Sequence, residues 1–230
     1  MKIFLSGIDF CLDEGMRKNI DTIIKDLVCK CKGEECEFVF EANDVSYFTK
    51  LCLSTIFNAK EKYPDSKIIF TKVICFGDNQ SGFATAFSFN KKKFAFTADK
   101  IVFATTKNLN LEHYEESILY TPQAPLQWAL RYCDTLICYT YPEIYTEVNI
   151  CKRSFEKIKK KTIISLNTRK TAGRIRRCIE GLPEIEAHAL HLKAEGKTNK
   201  EISEILQCPA GKVSTILGNA SYSIILMLKK

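Results

Sequence analysis

Six short apolar runs, rich in β-branched and aromatic residues, alternate with stretches whose apolar positions fall three and four apart, and this alternation restricts the fold more than any other feature of the 230-residue chain. The runs occupy residues 2–6, 38–40, 67–76, 101–104, 135–140 and 162–166. Between them, Met16, Ile20, Ile23, Ile24, Leu27 and Val28 recur at helical spacing, as do Phe48, Leu51, Cys52, Thr55, Ile56 and Ala59. Residues 126–132 and 147–160 read as two further helices. Buried parallel strands joined by crossover helices satisfy this pattern, so the expected fold is α/β, a Rossmann-like, mostly parallel sheet with helices on both faces. Residues 83–96 are ambiguous between helix and hairpin, and 108–124 read as a polar and aromatic loop with room for a short helix.

A hydrophobic content of 46% over this length supports one medium domain and one small one. The expected boundaries are 1–167 for the α/β domain, 168–181 for a basic linker and 182–230 for a small helical domain. Charge divides along the same line. From Thr168 onward there are eleven Lys and Arg against six Glu, a net of +5, which leaves 23 against 21, a net of only +2, for the rest. A polyanion is the natural partner of such a tail.

The tail has helix punctuation of its own. Leu182-Pro183 opens a helix with Ile185, Ala189 and Leu192 on one face and Gly196 at its C′ position. Thr198 and Glu201 form a capping-box pattern that starts a second helix carrying Ile202, Ile205 and Leu206. A third follows Pro209 with Val213, Ile216 and Leu217 inward. Two short helices joined by a tight turn behind a support helix make a helix-turn-helix. The run LPEIEAHALHLKAEGKTNKEISEILQCPAGKV resembles region four of the sigma factors and the related LuxR-type helix-turn-helix. The resemblance implies that residues 210–219 form the recognition helix, with Lys212, Ser214, Thr215 and Asn219 facing the major groove. Lys200, Arg174, Arg176 and Arg177 join these as candidate DNA contacts. After Val213, where the family carries further basic residues, this chain has Ser214, Thr215 and Ile216.

In an open parallel sheet, ligands bind beyond the carboxyl ends of the strands, which directs attention to residues 6–9, 41–46, 77–81 and 141–146. The segments MKIFLSG, FNAKEKYPDSKIIF and PLQWALRYCDTLICYTYPEIYTEVNICKRSFEKIKKKTIISL are similar to the SLOG superfamily, which includes DNA-processing protein A and the LOG phosphoribohydrolases. The resemblance implies that Trp128, Asp134 and the loop 141–147 face a ligand. The candidate ligand-binding residues are Ser6, Gly7, Asn43, Asp44, Gly77, Trp128, Pro142 and Thr146. Relatives of the LOG type hold phosphate on a glycine-rich loop, whereas 142–147 here contains no glycine.

The expected function is therefore that of a DNA-binding regulator or mobile-element accessory protein whose SLOG-like domain senses a nucleotide-related small molecule. Two alternatives stay open at this point. One is an enzyme that cleaves or transfers an N-glycosidic bond, with Glu143 and Glu147 as acid or nucleophile; the other is a degenerate SLOG scaffold acting through protein partners. The absence of GxxxxGK[ST], GxSxG, HExxH and GxGxxG motifs disfavours common catalytic classes, and no cofactor is expected. Eleven cysteines scattered through apolar runs read as reduced thiols, and neither Cys29, Cys31 and Cys36 nor the pair His188 and His191 completes a metal set. No apolar run approaches the length of a membrane span and no signal peptide is legible, so a soluble cytoplasmic protein is expected, with homodimer formation open.

Overall fold

The computed structural model describes residues 1–8, 14–31, 33–41, 46–75, 98–104 and 123–229. The candidates Asn43, Asp44 and Gly77, and the ambiguous stretch 83–96, lie outside these residues. Six strands form as expected: β1 (Lys2–Gly7), β2 (Cys36–Glu41), β3 (Ile68–Cys75), β4 (Lys100–Ala104), β5 (Thr135–Tyr139) and β6 (Thr162–Ser165). They build one sheet in the order β4-β3-β2-β1-β5-β6, and every adjacent pair is parallel. The helices α1 (Glu14–Lys30), α2 (Tyr47–Lys62), α3 (Gln123–Tyr132) and α4 (Glu147–Glu156) cover it.

The two-residue period of a strand sends alternate side chains to opposite faces. Ile3, Leu5, Phe38, Phe40, Ile137 and Tyr139 meet Met16, Ile20 and Ile24 of α1 and Phe48, Cys52 and Ile56 of α2 in one core. Phe4, Val39, Leu136 and Cys138 point the other way, onto Trp128 and Ala129 of α3 and Cys151 and Phe155 of α4. Both faces of the central strands are thus sealed, which explains why their sequences are continuously apolar.

Four more helices complete the chain: α5 (Arg169–Glu180), α6 (Glu184–Ala194), α7 (Asn199–Ile205) and α8 (Ala210–Lys229). The stretch 168–181, expected from composition to be a basic linker, is instead largely helix α5. Thr168 caps it by accepting the Thr171 amide, and Thr171, Ile175 and Ile179, spaced four apart, are buried. That narrow stripe decides the structure because Arg169, Lys170, Arg176 and Arg177 around it stay exposed to solvent. A second adjustment concerns α4, which stops at Glu156 rather than running to residue 160.

The tail is not tethered loosely. Ile175, Ala189, Leu190, Ile202, Val213, Leu217, Ile224 and Leu228 belong to the same continuous core as Tyr141, Ile144 and Leu166 of the α/β part. The Tyr145 amide donates to the buried Ser221 hydroxyl of α8 at 2.8 Å, and the Arg153 guanidinium donates to the Lys193 carbonyl at 3.0 Å.

Candidate nucleic-acid interface

Helix α6 ends at Gly196, whose φ of 94° is open to glycine without a Cβ penalty. The capping box then forms in full: Thr198 Oγ1 accepts the Glu201 amide at 3.2 Å, and the Glu201 carboxylate accepts the Thr198 amide at 2.6 Å. These bonds hold the Glu201 carboxyl below its ordinary pKa, the Thr198 amide contributing most. The α7–α8 turn passes through Gln207 in the left-handed region, at φ 49°. It is closed by the Cys208 amide on the Ser203 carbonyl at 3.1 Å and the Ser203 hydroxyl on the Cys208 carbonyl at 2.7 Å.

This turn sets the rotation of α8 about its axis. Val213, Ile216, Leu217 and Ala220 are buried, whereas Lys212, Ser214, Thr215 and Asn219 are exposed. Lys212, Thr215 and Asn219 stand three and four positions apart on one face, and Tyr222, 63% exposed, extends it by another turn. A Cβ built on Gly211 or Gly218 would meet nothing within 4 Å, so the outer surface of this helix is uncovered by the rest of the chain. Its first turn carries no acidic residue, leaving the positive end of the helix dipole uncompensated. Although α8 docks on the larger body through Ser221, its amino-terminal half faces outward.

Of the remaining candidate DNA contacts, Lys200, Arg176 and Arg177 are exposed. Arg174 is half-buried and donates to the Leu228 carbonyl at 3.0 Å, which ties α5 to the end of α8. Two participants were not legible in the sequence. Asn199 donates to Ser214 Oγ at 3.0 Å and accepts from the Lys193 ammonium at 2.6 Å, linking α6, α7 and α8. Tyr222 lies beyond the expected recognition helix 210–219, because α8 runs on to Lys229 with Ile224 and Leu228 continuing its buried face.

At the sheet, strand order reverses between β1 and β5, the crevice where an α/β ligand would sit. Ser6 is nearly inaccessible there. The position of a Cβ on Gly7 lies 2.4 Å from the Phe48 ring, so this glycine admits α2 against the strand. Phe48 stacks on Tyr139 with centroids 6.1 Å apart, and Tyr139 meets Tyr141 edge-on at 5.6 Å. Trp128, 3% exposed and 4.9 Å from the Tyr132 ring, is taken up by the core on the opposite face. Asp134 accepts the Lys2 amide at 2.9 Å at the amino ends of the strands, opposite the crevice, which corrects its expected ligand-facing position.

Pro142 is exposed, and Glu143 is half-buried in the loop after β5. Thr146 occupies the N-cap of α4, yet its hydroxyl makes no capping bond and is buried without a hydrogen-bond partner. Glu147 begins that helix. Burial pushes the thiols of Cys133 and Cys151 up to about 12 and that of Cys138 to about 11, so all three are protonated and poor nucleophiles at neutral pH. Among the described residues, no helix is long and apolar enough to cross a membrane.

Residues 172–220 match the family model described as Sigma-70, region 4. The matched span runs from within α5 to the outward-facing part of α8 and supports a DNA-binding, regulatory role for this portion of the chain. A search of curated proteins found no match to the chain.

Proposed function

We propose that the chain is a DNA-binding regulator or mobile-element accessory protein that presents α8 to the major groove while its α/β body senses a nucleotide-related ligand. The observation that carries the DNA reading is the outward face of Lys212, Thr215 and Asn219 within the segment matched to Sigma-70 region 4. Asn219 suits adenine, whose N6 and N7 pair with a side-chain amide, and the Thr215 methyl suits a thymine methyl. Lys212 and Lys200 supply phosphate contacts that position the helix without reading sequence.

Support for the ligand reading is of a different kind. The sheet has the parallel, order-reversing topology that nucleotide-binding folds share, and the unpartnered Thr146 hydroxyl at the start of α4 is a polar group with capacity to spare. The SLOG resemblance accords with that topology.

Selection of binding sites from a random duplex pool by the full chain tests the DNA reading. Enrichment of a short motif is expected, with Asn219→Ala relaxing preference at one base position by about 1–3 kcal/mol. Recovery of unenriched sequence would contradict base readout by this helix. Mass spectrometry of small molecules released from the purified protein tests the ligand reading, for which a nucleotide-related compound is expected.

A further inference from the structure

A pocket of about 220 Å³ lies where the body meets the tail, between α4 and the end of α6. From α4 and its cap come Asn149, Ile150, Arg153, Ser154 and Lys157, one continuous face at helical spacing; Lys193 closes it from the tail. The lining residues thus bring together three cations and no carboxylate. Like charges gathered at one site repel one another, and an anion among them relieves that repulsion.

We propose that this pocket binds a phosphate group, and that Lys193 transmits its occupancy to the recognition helix. The volume is below the range of about 300–1,000 Å³ usual for drug-sized ligands, which fits inorganic phosphate or the phosphate end of a nucleotide. Arg153, with one guanidinium nitrogen engaged by the Lys193 carbonyl, keeps its other donors for the anion. Burial, and then the nearby Arg153, lower the Lys193 pKa, and the opposite charge of a bound anion would act against that shift.

The connection outward is a chain of two hydrogen bonds. The Lys193 ammonium is 2.6 Å from Asn199 Oδ1, and the Asn199 amide is 3.0 Å from the exposed Ser214 hydroxyl of α8. A phosphate that draws the ammonium inward competes with Asn199, which begins α7 and orients Ser214. The binding step stands independently of the proposed function; the transmission step rests on the DNA reading.

The test is calorimetric titration of the full chain with inorganic phosphate and, separately, with adenosine monophosphate, each without DNA. Saturable binding of at least one is expected, weakened about tenfold by Lys193→Gln and by Lys157→Ala, and lost in Ser154→Asp, which adds a carboxylate to the lining. Circular dichroism confirms that each variant is folded, and a variant that is not is replaced by Lys157→Glu. Absence of binding to both probes, or binding indifferent to all these changes, overturns the proposal. So does loss of duplex affinity in Ser154→Asp without free-phosphate binding by the wild type, since the pocket would then belong to the DNA interface. Phosphate bound by a chain that binds no duplex would uphold the pocket and refute the DNA reading. For transmission, saturating phosphate is expected to change duplex affinity severalfold in wild type and to leave it unchanged in Lys193→Gln; equal responses would refute it.

Discussion

Glu37 is a buried carboxylate on β2, held by the Thr71 hydroxyl at 2.6 Å and by Lys2 and Lys100 at 3.3 and 3.6 Å. Burial alone would raise its pKa, but the Thr71 bond and the two ammonium groups outweigh that effect and lower it below the ordinary 4.5. Because the folded value lies beneath the unfolded one, its contribution is full at neutral pH and is lost as pH falls through the folded value. Glu37→Gln is therefore expected to cost roughly 1–3 kcal/mol in urea unfolding at pH 7, with the deficit closing in strongly acidic solution. A deficit independent of pH would assign the effect to packing. Gln207 is the opposite case, a side chain that its backbone does not favour. Gln207→Gly relieves a left-handed conformation at φ 49° and is expected to add roughly 0.5–1 kcal/mol, with loss of stability contradicting the strain argument.

Among the elements, α7 and α8 were legible because their signals are short-range: a glycine at C′, a capping box, and apolar residues at 213, 216 and 217. Helix α5 was not, because the stripe of Thr171, Ile175 and Ile179 is narrow and set among Arg169, Arg174, Arg176 and Arg177, so local composition argued for a tether while burial in the tail core decided otherwise. The same limit applies to Trp128. A tryptophan on one helix face packs against a sheet or stacks on a ligand with the same spacing, and only the fold distinguishes them. Gly7 reads as a ligand-binding position for a similar reason, since close approach of the backbone to the Phe48 ring and to a ligand demand the same residue. In α8, Gly218 sits mid-helix with open space above it. Gly218→Ala is expected to raise stability by about 1 kcal/mol through helix propensity, measured by chemical denaturation, and any accompanying loss of duplex affinity would mark a close approach of the nucleic acid there. Unchanged or reduced stability would mean that the outer face is not open.

On the scale of the whole molecule, body and tail share one core running from Ile3 to Leu228 and are joined by the Tyr145–Ser221 and Arg153–Lys193 hydrogen bonds. Calorimetry of the full chain is expected to show one cooperative transition, and two resolved transitions would contradict the shared core. The docked arrangement leaves the amino-terminal half of α8 exposed on a tail whose sequence carries a net charge of +5. The most direct test of that arrangement is the salt dependence of duplex binding by the intact protein, compared with Lys212→Ala. Affinity is expected to fall steeply with salt, and the variant to bind more weakly with a slope shallower by about 0.9, the loss of one phosphate contact. Equal affinity and slope for the two proteins would contradict contact between α8 and DNA.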